Sequence, residues 1–109
     1  MNAPDNKQQP KTVAGYIGLC WFKREHFADH RQLMSDPDEL FDTYDEWLKS
    51  AHQIERTVAA QGHRVVRVPF DPVSFLLLCT TRGMLPDAKA RSQWAAMETE
   101  RRYRHKVRG

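Results

Sequence analysis

His26 and His30 stand four residues apart in the string Glu25-His26-Phe27-Ala28-Asp29-His30. On a helix this spacing puts both imidazoles on one face, where two histidines can share a metal ion. The string is not HExxH, because phenylalanine follows His26. A zinc site would also need further ligands, from His52, His63 or a carboxylate brought in by the fold. The simpler reading is a partly exposed helix face, and no metal or cofactor is assigned.

A second candidate is Cys79-Thr80-Thr81-Arg82-Gly83. A Cys-based phosphatase holds its thiolate in a phosphate-cradling loop, with a longer spacing to the arginine. Here Cys79 ends an apolar run, in which nothing activates a thiol. Gly15-Tyr16-Ile17-Gly18 lies inside a strand pattern, not at a strand-to-helix turn, so it is not a dinucleotide fingerprint. There is no Walker A motif, nucleophile elbow or paired-carboxylate pattern. Lys23, Arg24 and Asp71 remain as a ligand-site candidate, because they follow the ends of two predicted strands, where ligands gather in parallel α/β folds. The balance points away from an enzyme.

The elements that position these residues follow from periodicity. Val13 to Phe22 reads as a strand, with Ile17, Leu19 and Trp21 on one face and Tyr16, Cys20 and Phe22 on the other. Both faces are apolar, so the strand is expected to be covered on both sides. Gly15 and Gly18 weaken it or admit another backbone at close range. Arg24 to Met34 reads as a short helix. A long helix is expected from Asp36 to Gly62, with Asp36, Pro37 and Glu39 as a capping box and proline at the first position. Leu40, Tyr44, Trp47, Ala51, Ile54 and Val58 form its apolar stripe. His63 to Phe70 is the second strand, which Pro69 ends or places at an edge. Asp71–Pro72 caps a third helix, with Phe70 and Phe75 as a hydrophobic staple. Phe75 to Cys79 is apolar nearly all round, which predicts a buried helix ended by Arg82–Gly83. Asp87 caps a last helix to about His105, with Ala90, Trp94 and Met97 on its inner face.

The expected fold is therefore a small α/β (or α+β) domain, mostly helical, ordered β-α-α-β-α-α, with a two-stranded parallel sheet packed by helices. Residues 1–12 read as a flexible tail and residues 13–109 as one domain with a basic C-terminal helix end. Two parallel strands leave unpaired edges, which helices must cover or a second copy must extend, so a homodimer is expected.

The chain has 109 residues, 40% hydrophobic and 28% charged, with a net charge of +3. This is ordinary globular composition. Met1 to Lys11 lacks the apolar segment of a signal peptide, and the longest apolar run is too short to span a bilayer. Cys20 and Cys79 lie in apolar runs and form no CxxC pair, so they read as reduced thiols in a core. The chain thus reads as cytoplasmic, without a membrane partner. Charge is polarised along it. Asp38, Asp42 and Asp45 share one face of the long helix by spacing, and form a docking candidate for a basic partner. Arg101, Arg102, Arg104, Lys106 and Arg108, with Tyr103 interleaved, resemble a nucleic-acid footprint, since guanidinium forks match phosphates and an aromatic can stack on a base.

The string Asp71-Pro72-Val73-Ser74-Phe75-Leu76, followed by Arg82-Gly83 and Ala90-Arg91, resembles small uncharacterised bacterial proteins. The resemblance covers the C-terminal half and implies no function. The leading expectation is a non-enzymatic bacterial accessory module that binds a macromolecular partner, either a protein or itself. A nucleic-acid-binding regulator using residues 101–108 is the alternative, and a small ligand-binding domain or enzyme at the strand ends is a second.

Overall fold

The computed structural model describes residues 12, 13 and 15–108, with side chains over 15–103. Three strands form one sheet in the order β1 (Thr12–Val13), β2 (Tyr16–Trp21), β3 (Arg64–Pro69). The expected parallel pair is β2–β3, in register from Tyr16↔Arg64 to Trp21↔Pro69. The sequence reading missed β1. It pairs antiparallel to β2 through Thr12↔Ile17 and Val13↔Tyr16. Gly15, at φ +84°, makes the tight turn between them. One continuous strand from Val13 is therefore corrected to two strands, and Thr12 belongs to the sheet rather than to a tail. Residues 1–11 lie outside the described residues.

After β2 come a 3-10 turn (Arg24–His26), α1 (Phe27–Gln32), a second 3-10 turn (Pro37–Leu40) and α2 (Tyr44–Ala60). After β3 come α3 (Pro72–Arg82) and α4 (Ala88–Arg108). Even-numbered residues of β2 face α4. Tyr16 stacks on Tyr103 at 4.5 Å, and a Cβ on Gly18 would lie 2.6 Å from the Ala95 carbonyl oxygen. Trp21, on the odd face, packs edge-on against Trp47 of α2 at 5.1 Å. The sheet is thus covered on both sides, as the two apolar faces of β2 require. Phe22, Val68, Phe75, Ala90 and Ala95 are almost fully buried between these layers.

The start of the long helix differs from expectation. Asp36 makes no capping hydrogen bond to the 3-10 turn it precedes. Its carboxylate instead accepts two bonds from Arg91, at 2.8 and 3.2 Å, and one from the Ala88 N–H at 2.9 Å. The chain breaks at Phe41, which has φ +67°. Arg31 Nε donates to the Phe41 carbonyl at 2.6 Å and pins that strained residue. α2 starts at Thr43, whose side chain and Glu46 form a reciprocal capping box. A buried charge partner more than fifty residues away thus outcompeted the local cap.

α3 begins as its sequence dictates. Asp71 accepts from the Val73 N–H, Phe70 and Phe75 meet at 5.2 Å, and Gly83 closes the helix at φ +63°. Its burial is only partial. Phe75, Leu78 and Cys79 are buried, while Val73 is 76% and Leu77 65% exposed. On α4, Ala90 and Trp94 are buried as expected, but Met97 is exposed. The inner stripe continues through Ala95, Thr99 and Tyr103, because Gly18 lets α4 lie close on β2.

Candidate functional site

Three consecutive residues of β2, Leu19 to Trp21, line a cleft of about 170 Å³. Its walls are Trp47, Ala51 and Ile54 of α2 on one side and Arg91 of α4 on the other, with Glu39, Leu40 and Phe41 across its end. A cavity bounded by the helices of both faces must lie beside the sheet, and β3 occupies the other side of β2. The cleft therefore lies on the side of β2 away from β3.

Backbone polarity distinguishes the two edges of the β2–β3 pair. Arg64 donates to the Gly15 carbonyl and Phe70 to the Trp21 carbonyl. By strand alternation, even residues of β3 and odd residues of β2 turn their backbone groups toward each other. The N–H and C=O of Gly18 and Cys20 consequently point to the outer edge. Among the described residues, β1 pairs with β2 only opposite Tyr16 and Ile17. On β3 the outward-facing residues are Val65, Arg67 and Pro69. Pro69 has no N–H to leave unpaired, and Arg67 puts a charge on that edge, both of which discourage strand addition there.

The chemistry within the cleft is inert. Burial pushes the Cys20 thiol up to about 12, with the nearby Arg91 charge opposing only weakly. Cys79 is raised by burial and by Asp87, so neither cysteine is an activated nucleophile. Arg91 is paired with Asp36 through two hydrogen bonds, with side chains 9% and 20% exposed respectively.

The other candidates scatter. His26 and His30 stack with ring centroids 5.6 Å apart. Nδ1 of His30 is buried with no hydrogen-bond partner, and its ring meets Phe70 at 4.9 Å and Phe22 at 6.4 Å. Burial, with His26 beside it, lowers the His30 pKa. His52 lies instead against Trp21. Among the described residues no group of three or more His, Cys, Asp or Glu is placed to hold a metal ion. Lys23 is exposed; Arg24 is committed to Asp45 at 2.9 Å and stacks over Tyr44; Asp71 caps α3. The fold engages Arg24 and Asp71 separately.

The acidic candidates are answered within the molecule. Arg31 holds Asp42 at 3.2 Å and Asp38 at 3.6 Å, and Arg24 holds Asp45. Arg101 pairs with Glu98, and Arg102 is exposed. Tyr103 is packed on Tyr16, so its ring is engaged by the fold rather than offered to a base. The side chains of Arg104, Lys106 and Arg108 lie outside the described residues, although α4 runs through them.

Two features escaped the sequence reading. The outer face of α3 carries Val73 and Leu77 one helical turn apart, with exposed Thr80 and Thr81 beside them, and the turn that follows exposes Leu85 (66%). The all-round apolar sequence of α3 held this signal, read there only as burial. The cleft beside β2 is lined by residues from β2, α2 and α4 that are far apart in sequence, which no local pattern encodes.

Fold and cleft together define a small α/β domain with helices on both faces of a mixed sheet and no assembled catalytic constellation among its described residues. The chain belongs to the family described as a domain of unknown function (DUF8829), which it matches over residues 5–107. No curated protein and no solved structure matches it. Among the described residues, no helix is long and apolar enough to cross a membrane.

Proposed function

We propose that this domain is a non-enzymatic protein-interaction module that pairs through the outer face of α3, with a second copy of the chain as the occupant. The observation that carries this reading is the exposure of Val73 and Leu77 on α3, whose middle residues 75–79 are all apolar. A helix of that composition is normally enclosed. Here one half is enclosed by the domain's own core, and no described residue covers the other half.

A two-fold contact sets a patch against itself, so a charged patch would repel its copy. The middle of this one is uncharged, with Val73, Leu77, Thr80 and Thr81 exposed there, and exposed Asp71 and Arg82 lie at the two ends of α3. A face one helix long belongs to the small class of interfaces, below about 1,200 Å² in total, which favours micromolar affinity. The mass in light scattering should rise toward twice the chain mass over tens of micromolar, and Leu77→Glu should hold it at one chain. A single-chain mass for the parent protein throughout that range would refute the reading.

One observation favours nucleic acid as the second reading. The Tyr16↔Arg64 register and the Tyr16–Tyr103 stack set exposed Arg64 at the same end of the domain as the basic end of α4. Anisotropy with random DNA and RNA over a salt series tests it. Binding that disappears on deleting residues 101–109, with a log–log slope near about −4.5 for five phosphate contacts, would favour it; no binding at low salt would remove it.

A further inference from the structure

We propose that His26 and His30 form an acid-operated latch on α1: when both carry protons, His30 leaves the apolar rings it packs on, and the strained loop that neighbouring Arg31 holds at Phe41 is released. The proposal does not rest on pairing through α3.

α1 is a short segment held down by few side chains. Phe27, His30 and Met34 recur at steps of three and four and face the domain, whereas Ala28, Asp29, Gln32 and Leu33 are exposed. Phe27 and Met34 are buried and apolar. The middle anchor is the one that titrates. Its ring lies against Phe70 at 4.9 Å and Phe22 at 6.4 Å, and its Nδ1 is buried without a hydrogen-bond partner. Neutral His30 tolerates this site, because Nδ1 can be the nitrogen without a proton. Protonation puts an N–H on both nitrogens and leaves a charged donor buried with no acceptor. His26, exposed and stacked 5.6 Å away, adds a like charge when it is protonated too. Burial, with His26 beside it, holds the His30 pKa below its ordinary value, so the docked state is complete above that value and is lost as pH falls through the lowered one.

The surroundings do little to offset the two cations. On their own segment Asp29 opposes them in part, and Glu25 is exposed. Phe22 after β2 and Phe70 after β3 are apolar. Their charged neighbours are Lys23, which is exposed and cationic, and Asp71, whose carboxylate accepts from the Val73 N–H. Asp38 and Asp42 lie against Arg31, and Asp45 against Arg24.

Arg31 couples the latch to the loop. It follows His30 in the chain, and its Nε donates to the Phe41 carbonyl at 2.6 Å. Phe41 has φ 67° and ψ 171°, a backbone region that glycine alone adopts with ease, so the loop is held against strain. Asp36, bound to Arg91 and Ala88, and the capping box at Thr43 confine the release to the residues between them.

The test is amide hydrogen exchange on the full chain at about pH 7.5 and about pH 5, corrected for the intrinsic pH dependence of exchange. The amides of Leu33 and Met34, which donate to the His30 and Arg31 carbonyls, report on α1. That of Phe41, which donates to Asp38, reports on the loop, and Val66 and Val68 of β3 serve as controls. Acidification should cut protection at all three reporters by about threefold or more and leave the controls unchanged. His30→Phe keeps a ring in the site that cannot titrate and should abolish the loss; His30→Gln should do the same if the phenylalanine variant does not fold. His26→Gln should shrink the loss without abolishing it, because His30 stays buried. Arg31→Met should free Phe41 at both pH values while Leu33 and Met34 keep their pH dependence. Protection in the parent that does not change with pH overturns the proposal, as does a loss that persists without His30. A loss equally large at Val66 and Val68, or one at Leu33 and Met34 that leaves Phe41 untouched, overturns it as well.

Discussion

Gly18 is the point where β2 and α4 touch backbone to backbone, and Gly18→Ala tests that packing directly. The added Cβ would lie 2.0 Å from Thr99 Oγ1 and 2.6 Å from the Ala95 carbonyl oxygen. Thr99 is fully buried, and its hydroxyl donates to the Ala95 carbonyl at 2.7 Å, so it has little room to turn away. The backbone oxygen cannot rotate clear at all. α4 must lift off the sheet, loosening Trp94 and the Tyr16–Tyr103 stack with it. Overpacking of this kind costs about 2–3 kcal/mol. For a domain of this size each kcal/mol lowers the melting temperature by about 4–8 °C, so a fall of about 10–20 °C in circular-dichroism melting is expected. Thr99→Ala added to Gly18→Ala should recover part of the loss and not all, because the clash with the Ala95 carbonyl remains. A Gly18→Ala protein melting within about 3 °C of the parent would refute the close approach of α4 to β2.

Asp36→Ala leaves Arg91 buried and unpaired and uncaps Ala88, and should destabilise by about 3–5 kcal/mol in urea denaturation; a loss under about 1 kcal/mol would mean that the pair is solvated. His30 has a lowered pKa when folded, so the unfolded chain binds its proton more readily. The stability contributed by neutral His30 is therefore complete above its ordinary value near 6.5 and is lost as pH falls through the lowered folded value. Its neighbours His26 and Asp29 act in opposite directions. His30→Gln should flatten the fall in urea midpoint between pH 7.5 and pH 5, and an unchanged fall would place the titration elsewhere. Cys20, half-buried and with its thiol raised to about 12, should alkylate more slowly with iodoacetamide at pH 8 in the native protein than in urea; equal rates would contradict the raised thiol.

Local rules served where a signal and its partner are close in sequence. Asp71, Pro72 and Phe75 announce the start of α3, Gly83 its end, and the alternation along β2 and β3 gives the parallel pair with helices on both faces. The same rules placed a cap at Asp36, where the pattern is equally good, and failed because Arg91 offers that carboxylate a charged partner in a buried site. Met97 was placed inside by helical spacing, yet Gly18 lets α4 roll close enough for Ala95 and Thr99 to take the inner face. β1 was missed because two residues cannot show a period. The acidic residues singled out by sequence have partners in the fold: Arg31 lies beside Asp38 and Asp42, and Arg24 beside Asp45. Spacing showed their clustering and could not show their partners.

The proposed pairing surface is the apolar outer half of α3, which no described residue covers. Sedimentation or light scattering of the parent protein and Leu77→Glu, from a few to about a hundred micromolar, tests it most directly. Pairing through α3 gives a parent mass that climbs toward two chains with concentration, a variant that stays at one, and equal melting temperatures for the two at dilution. A parent protein that remains a single chain throughout, or a Leu77→Glu variant that pairs as well as the parent, would contradict it.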